Sequence, residues 1–369
     1  MKILYITTIG GTMTFFKTFI KELLDEGHTV DIAANISSSK IPDCYTEWGC
    51  KVYPLSCSRS PLDKSNLVAI KEIKQLVSDN KYDIVHCHTP IAAMCTRLAC
   101  RKFRKQGTKV FYTAHGFHFY KGAPLKNWLL FYPIEKICAY LTDLLITINK
   151  EDYERAKKKL KAKKVAYVPG VGIDVAKFAD VVVDRVSKRA EIRIPENSFL
   201  LLSVGELNAN KNHEVVIRAI AKIGNPDVHY AVAGKGNLEE YLKSLAKELN
   251  IEEQVHLLGY RKDISELYSV ADVCVFPSIR EGFGLAALEG MAAGLPLLIS
   301  DNRGTREYST HNINAIVCNC NDVDAYASGI ETLKNDVELY KSMGEYNKKF
   351  AWQYDISSIN KIMSELYYK

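Results

Sequence analysis

No run in this 369-residue chain reaches the roughly 18–20 consecutive apolar residues that a membrane-crossing helix needs. Its start carries no secretory pattern, because Lys2-Ile-Leu-Tyr-Ile-Thr-Thr8 is too short and runs straight into a glycine turn. Metal-ligand spacing is scarce. His86-Cys-His88 places two histidines on one strand face, but no further ligands follow at close spacing, which argues against a structural zinc site. Gly10-Gly11 lacks the third glycine of a dinucleotide fingerprint. The basic runs are not interleaved with aromatic residues, so nucleic acid is not an expected partner. The ten cysteines are scattered, several within apolar runs, and this pattern indicates a reduced, cytosolic compartment rather than a disulfide framework.

The length exceeds one ordinary hydrophobic core and suits two domains of roughly 150–200 residues each. A net charge of +6 conceals an asymmetry: residues 1–180 hold 28 Lys/Arg against 17 Asp/Glu, and residues 181–369 hold 21 against 26. Arg155–Lys164 is the densest basic run. A solvated helical face would account for it, whereas an anionic membrane surface would give the whole basic half a partner.

Short β-branched runs alternate with amphipathic helical stretches. Strands are expected at 2–8, 29–34, 84–88, 109–113, 144–148 and 164–168, and again at 199–204, 228–233, 255–257, 273–276 and 297–300. Strands separated by helices of 10–15 residues point to an α/β chain of two doubly wound, parallel-sheet domains, with sites at the carboxyl ends of the strands. The expected boundaries are 1–172 and 173–351, with the terminal helical segment 352–369 packing back on the first domain.

The most informative stretch is Glu281-Gly-Phe-Gly-Leu-Ala-Ala-Leu-Glu289. A strand, a glycine turn and a helix start make an anion site, because first-turn N–H groups lack intrahelical partners and carry the positive end of the dipole. The N–H groups of Phe283, Gly284 and Leu285 are placed to hold phosphate oxygens. Two carboxylates flanking such a cradle would repel phosphate, so they suit hydroxyls on either side of it. A sugar nucleotide offers both: sugar, diphosphate and ribose.

Further blocks then fall into a known order. Gly10-Gly11 precedes a helix. His86-Cys-His88 and Thr113-Ala-His115-Gly116 end strands. Val168-Pro-Gly-Val-Gly-Ile-Asp174 opens the second half, and Ser203-Val-Gly-Glu-Leu-Asn-Ala-Asn-Lys211-Asn212 follows. Together with Glu281–Glu289 these resemble glycosyltransferase family 4, retaining enzymes of the GT-B fold, and most of all the bacterial transferases of capsule and exopolysaccharide assembly. The resemblance covers nearly the whole chain. It implies two facing Rossmann-like domains with a central cleft. His115, Lys211 and Glu281 take catalytic positions. Gly10, Gly11, Gly205, Glu206, Lys211, Gly234, Phe283, Gly284, Leu285 and Glu289 take positions around the donor nucleotide-sugar, and the Gly10-Gly11 loop faces the acceptor side. Glu281 is implied to hold sugar hydroxyls and Glu289 ribose hydroxyls. One departure stands out: Glu206 occupies the place where the family usually has an arginine, which Arg280 or Arg303 would have to replace.

The expected activity is retaining transfer of a hexosyl or N-acetylhexosaminyl group from a nucleotide-diphosphate sugar, uridine-linked, to a lipid-linked saccharide at the inner membrane face. Neither a cofactor nor a metal is expected, with no Asp-x-Asp pair serving a divalent ion. A GT-B epimerase and a non-catalytic sugar-nucleotide-binding partner subunit are the alternatives left open.

Overall fold

The computed structural model describes residues 1–37 and 39–368. The chain divides into two compact units: Met1–Val171 together with the residues from Asn360 onward, and Gly172–Ile359.

The first unit holds a seven-stranded sheet: β1 (Lys2–Ile9), β2 (Thr29–Asn35), β3 (Val52–Pro54), β4 (Ile84–His88), β5 (Lys109–Ala114), β6 (Leu144–Thr147) and β7 (Lys164–Tyr167). Their order is β3-β2-β1-β4-β5-β6-β7, and every pairing is parallel. Both faces are covered, and β4 is buried along its whole length, its two histidines included. The final helix, Ile356–Tyr368, ends within this unit. The Tyr367 hydroxyl lies 2.8 Å from the Tyr5 hydroxyl and also bonds Nδ1 of His86.

The second unit holds a six-stranded parallel sheet in the order β10-β9-β8-β11-β12-β13. Its strands are β8 (Phe199–Val204), β9 (Val228–Ala233), β10 (Val255–Gly259), β11 (Val273–Phe276), β12 (Leu297–Ser300) and β13 (Ala315–Cys318). The expected strands are all present. β3 and β13 were not anticipated; they are three and four residues long, lie at sheet edges, and β3 ends in a proline. In a parallel sheet, ligand crevices open where the strand order reverses, outside the carboxyl ends of the two strands concerned. Those strands are β1 and β4 in the first sheet, and β8 and β11 in the second. No helix among the described residues is long and apolar enough to cross a membrane.

Candidate active site

Two loops leave the switch point of the second sheet. One runs from Gly205 to Asn212 after β8, the other from Pro277 to Gly284 after β11. They are laced together: Ile279 N donates to Asn210 O at 2.8 Å, and Asn210 Nδ2 donates to Arg280 O at 3.0 Å. This lacing brings Lys211 to Glu281, with Nζ to Oε1 at 2.7 Å. The ammonium also lies 5.0 Å from the Phe276 ring centroid. Residues 70 apart in sequence thus form one part-buried pair at the mouth of the glycine turn.

The turn leads into the Leu285–Ala292 helix, whose N-cap Gly284 has φ +94 and offers no side-chain cap. Only glycine fits this position: a Cβ there would meet the Tyr308 hydroxyl at 2.7 Å and the Phe276 ring at 2.8 Å. Phe283 is buried, its ring 5.7 Å from both Tyr308 and Tyr354. A second turn braces this one from behind. Asn302 Oδ1 accepts from Gly304 N at 3.0 Å and Thr305 N at 3.1 Å, and Gly304 packs on the Phe283 backbone. The turn holds Arg303, 8% exposed, with Nε donating to Glu281 O at 3.4 Å. Arg280 is exposed.

Glu289 lies one and a half turns further on, sunk into the unit. Burial pushes its carboxyl up from the ordinary 4.5 to about 7, with Lys177 opposing that shift. Its carboxylate accepts no hydrogen bond among the described residues. Tyr268 and Cys274 line the same region; burial is the main cause that raises both, and the charge of Glu289 adds to it.

The remaining glycines have packing reasons of their own. A Cβ on Gly234 would fall 1.8 Å from Gly205 O, and one on Gly10 would fall 2.4 Å from Ser39 O. Gly11 approaches the Ser39 hydroxyl in the same way. Gly205 lets the Lys211 stem pass, 3.4 Å from where its Cβ would be. Glu206, in the position of the family's arginine, is exposed.

His115 belongs to the first unit, at the end of β5. Its Nε2 shares a hydrogen bond with Nδ1 of His88, 3.1 Å apart. Phe16 packs on His88 with ring centroids 4.1 Å apart and the planes tilted by 32°. Burial lowers the His115 pKa to about 4 and that of His86 to about 3, so both rings are neutral at physiological pH. His86 is committed elsewhere: Nδ1 to Tyr367 and Nε2 to Thr113 at 2.8 Å.

Several of these residues escaped sequence reasoning. Asn302 sits behind the loops, and the buried His213, whose Nδ1 lies 2.8 Å from the Tyr230 hydroxyl, directly follows the Ser203–Asn212 block, whose last residues were the signal that could have found it. An Asp-x-Asp spacing also occurs, contrary to expectation, at Asp322-Val-Asp324. Asp322 caps the Val323–Asn335 helix, accepting from Ala325 N at 3.0 Å, and Asp324 is exposed and pairs with Lys222. The pair therefore serves a helix start and a surface ion pair.

Comparison with known proteins bears on the family and the fold. The family model described as Glycosyl transferase 4-like matches residues 2–149, and that described as Glycosyl transferases group 1 matches residues 184–350. EpsD of Bacillus subtilis (strain 168), named as a glycosyltransferase, is 38% identical over 99% of this chain and 96% of its own. A UDP-Gal:alpha-D-GlcNAc-diphosphoundecaprenol alpha-1,3-galactosyltransferase of Escherichia coli is 30% identical over 74% of this chain and 73% of its own. Among solved structures, Anabaena Alr3699/HepE in complex with UDP superposes with a TM-score of 0.83 at 19% identity, covering 99% of both chains. With its two parallel sheets and both matches in order, the chain belongs to glycosyltransferase family 4 and has the GT-B fold.

Proposed function

We propose that the protein is a retaining, metal-independent transferase that moves a hexosyl or N-acetylhexosaminyl group from a uridine-diphosphate sugar to a lipid-linked saccharide. It would do so in bacterial surface-polysaccharide assembly, in the cytoplasm at the inner face of the membrane. The observation that carries this reading is the pairing of Lys211 with Glu281 at the switch point, ahead of a sparsely capped helix start and a half-buried Glu289. The donor and acceptor named for the Escherichia coli relative support the choice of substrates.

In this mechanism the first-turn N–H groups at Leu285 hold phosphate oxygens, and Lys211 neutralises the charge that builds on the departing diphosphate. Arg303 supplies the second cation that Glu206 cannot. Glu281 holds sugar hydroxyls and Glu289 the ribose hydroxyls. Neutral His115 serves as a hydrogen-bonding group near the reacting carbon. The acceptor hydroxyl attacks C1 on the face the phosphate leaves; the C1–O bond to phosphate breaks as the new one forms, and the leaving phosphate takes the acceptor proton. Positioning and leaving-group stabilisation then supply the rate, without a glycosidase-like carboxylate pair.

The test is a calorimetric screen of uridine-, guanosine- and deoxythymidine-diphosphate sugars, followed by transfer to a diphosphopolyprenyl saccharide and assignment of the product anomer. An inverted anomer, or conversion of the donor without any acceptor, would refute the proposal.

A further inference from the structure

The Leu125–Ala139 helix of the first unit is apolar on both sides, a composition that normally marks a helix enclosed by protein. Its inner side is accounted for. Trp128, Phe131 and Tyr132 pack on the core, and Glu135, 4% exposed, is held by the buried Arg97 at 2.8 Å. Its outer side is not. Leu125 is 72% exposed, Leu129 70% and Ile137 63%, and Tyr140 just beyond the helix is exposed as well. Spacings of four, eight and three place these side chains on one stripe about 20 Å long.

Charge decides what covers the stripe. The only acid between 125 and 140 is Glu135, which is turned inward, while Lys126 and Lys136 are exposed beside the stripe. The Lys150–Lys159 helix and the segment after it lie alongside: Arg155 stands 5.8 Å from the Trp128 ring and Lys161 5.9 Å from that of Tyr140. A hollow of about 430 Å³ separates Trp128 and Tyr132 from Arg155, Lys158 and Lys159. Lys157, Lys158, Lys159, Lys161, Lys163 and Lys164 are all exposed. The acids on that helix are Glu154, paired with Lys158 at 3.6 Å, Glu151, paired with Arg155 at 3.0 Å, and the buried Asp152, paired with Arg155 at 3.3 Å.

We infer that the Leu125–Ala139 helix is an interfacial anchor that beds Leu125, Leu129 and Ile137 in an anionic bilayer, the neighbouring lysines facing lipid headgroups. An apolar stripe bordered by exposed cations matches an anionic bilayer, with its apolar interior and charged surface. A second copy of the chain is a poorer cover, since a twofold contact through this face would set lysines against lysines. The inference rests on the proposed membrane-linked acceptor for its purpose, but the anchor can be measured without any acceptor.

The experiment is co-sedimentation of the full chain with phosphatidylglycerol–phosphatidylcholine vesicles, with neither donor nor acceptor present. The triple variant Leu125→Ser, Leu129→Ser, Ile137→Ser should partition about tenfold or more weakly than the wild type, at both roughly 0.1 M and roughly 1 M salt. Changing the six exposed lysines to glutamine should weaken binding at low salt only. Unaltered nucleotide binding and far-ultraviolet dichroism in the triple variant establish that it is folded. Wild-type chain that stays in the supernatant, or a folded triple variant that binds like the wild type, overturns the anchor. So does a wild-type dimer that the triple variant converts to monomer with no change in vesicle binding. A wild type that binds vesicles yet transfers no sugar would refute the proposed function and leave the anchor standing.

Discussion

Lys211 and Glu281, assigned to the diphosphate and to the sugar of the donor, are bonded to each other, with Nζ 2.7 Å from Oε1. Donor binding must therefore divide the attention of the ammonium between this carboxylate and the incoming diphosphate. Lys211→Met should weaken binding of the bare nucleoside diphosphate by about tenfold or more, as expected for a lost hydrogen bond to a charged group. Glu281→Ala should leave that affinity within a few-fold and cut turnover by about a hundredfold, because its partner is the sugar. Calorimetry and initial rates separate the two, and equal losses of nucleotide affinity would contradict the assignment.

Nucleotide binding should depend on pH near neutrality if Glu289 has its proposed role. Its carboxyl titrates at about 7 in the folded chain against an ordinary 4.5, with burial as the main cause. In the proposed role, ribose hydroxyls donate to the charged form, so affinity should rise as pH increases from 6 to 8. Glu289→Gln should flatten that profile and weaken binding at pH 8 by about 1–3 kcal/mol. The unliganded protein should show the opposite trend. A raised folded-state value contributes stability that is complete below the unfolded pKa and is lost as pH climbs through about 7. The glutamine variant should thus melt at a higher temperature than the wild type above pH 7. A pH-independent wild-type affinity would remove the role given to this residue.

Chelator treatment should leave transfer intact. Asp322 and Asp324 supply an Asp-x-Asp spacing, yet one caps a helix and the other pairs with Lys222. Asp324→Asn should therefore be as active as the wild type, with or without chelator. Loss of turnover in chelator, restored by manganese or magnesium, would contradict the mechanism.

The lysine-rich segment 157–164 should act through the surface rather than through the donor. Replacing its six lysines with glutamine should slow transfer to a membrane-embedded acceptor, each contributing roughly 1 kcal/mol near an anionic bilayer. Transfer to a soluble, short-chain acceptor should hardly change. Parallel assays on the two acceptors decide the matter, and equal loss on both would assign the cluster to folding or to direct acceptor contact.

Much of the architecture was legible because parallel strands buried on both faces leave unbroken apolar runs. β4, β8 and β9 lie where the residues from Ile84, Phe199 and Val228 predict them, to the residue. β3 and β13 carry too few residues to show a period. At the site, the Glu281–Glu289 spacing announced a helix start, and the Gly284 φ of +94 shows why glycine stands there. The surroundings were not legible. Nothing near Glu289 in sequence foretells that Lys177 opposes its shift, or that Asn302 ties down the turn that carries Arg303. Such partners are set by which loops share a switch point, and local periodicity carries no trace of that.

The tail of the chain imposes an order on synthesis. Tyr367 bonds both Tyr5 on β1 and His86 on β4, and Asn360 Nδ2 donates to Glu22 at 2.7 Å. Strands made before the second unit therefore wait for residues 360–367, made after it. Until those residues arrive, the histidine-bearing side of the first sheet lacks its cover, and a ribosome stalled near residue 350 would display a second unit largely translated beside a first one still unfinished.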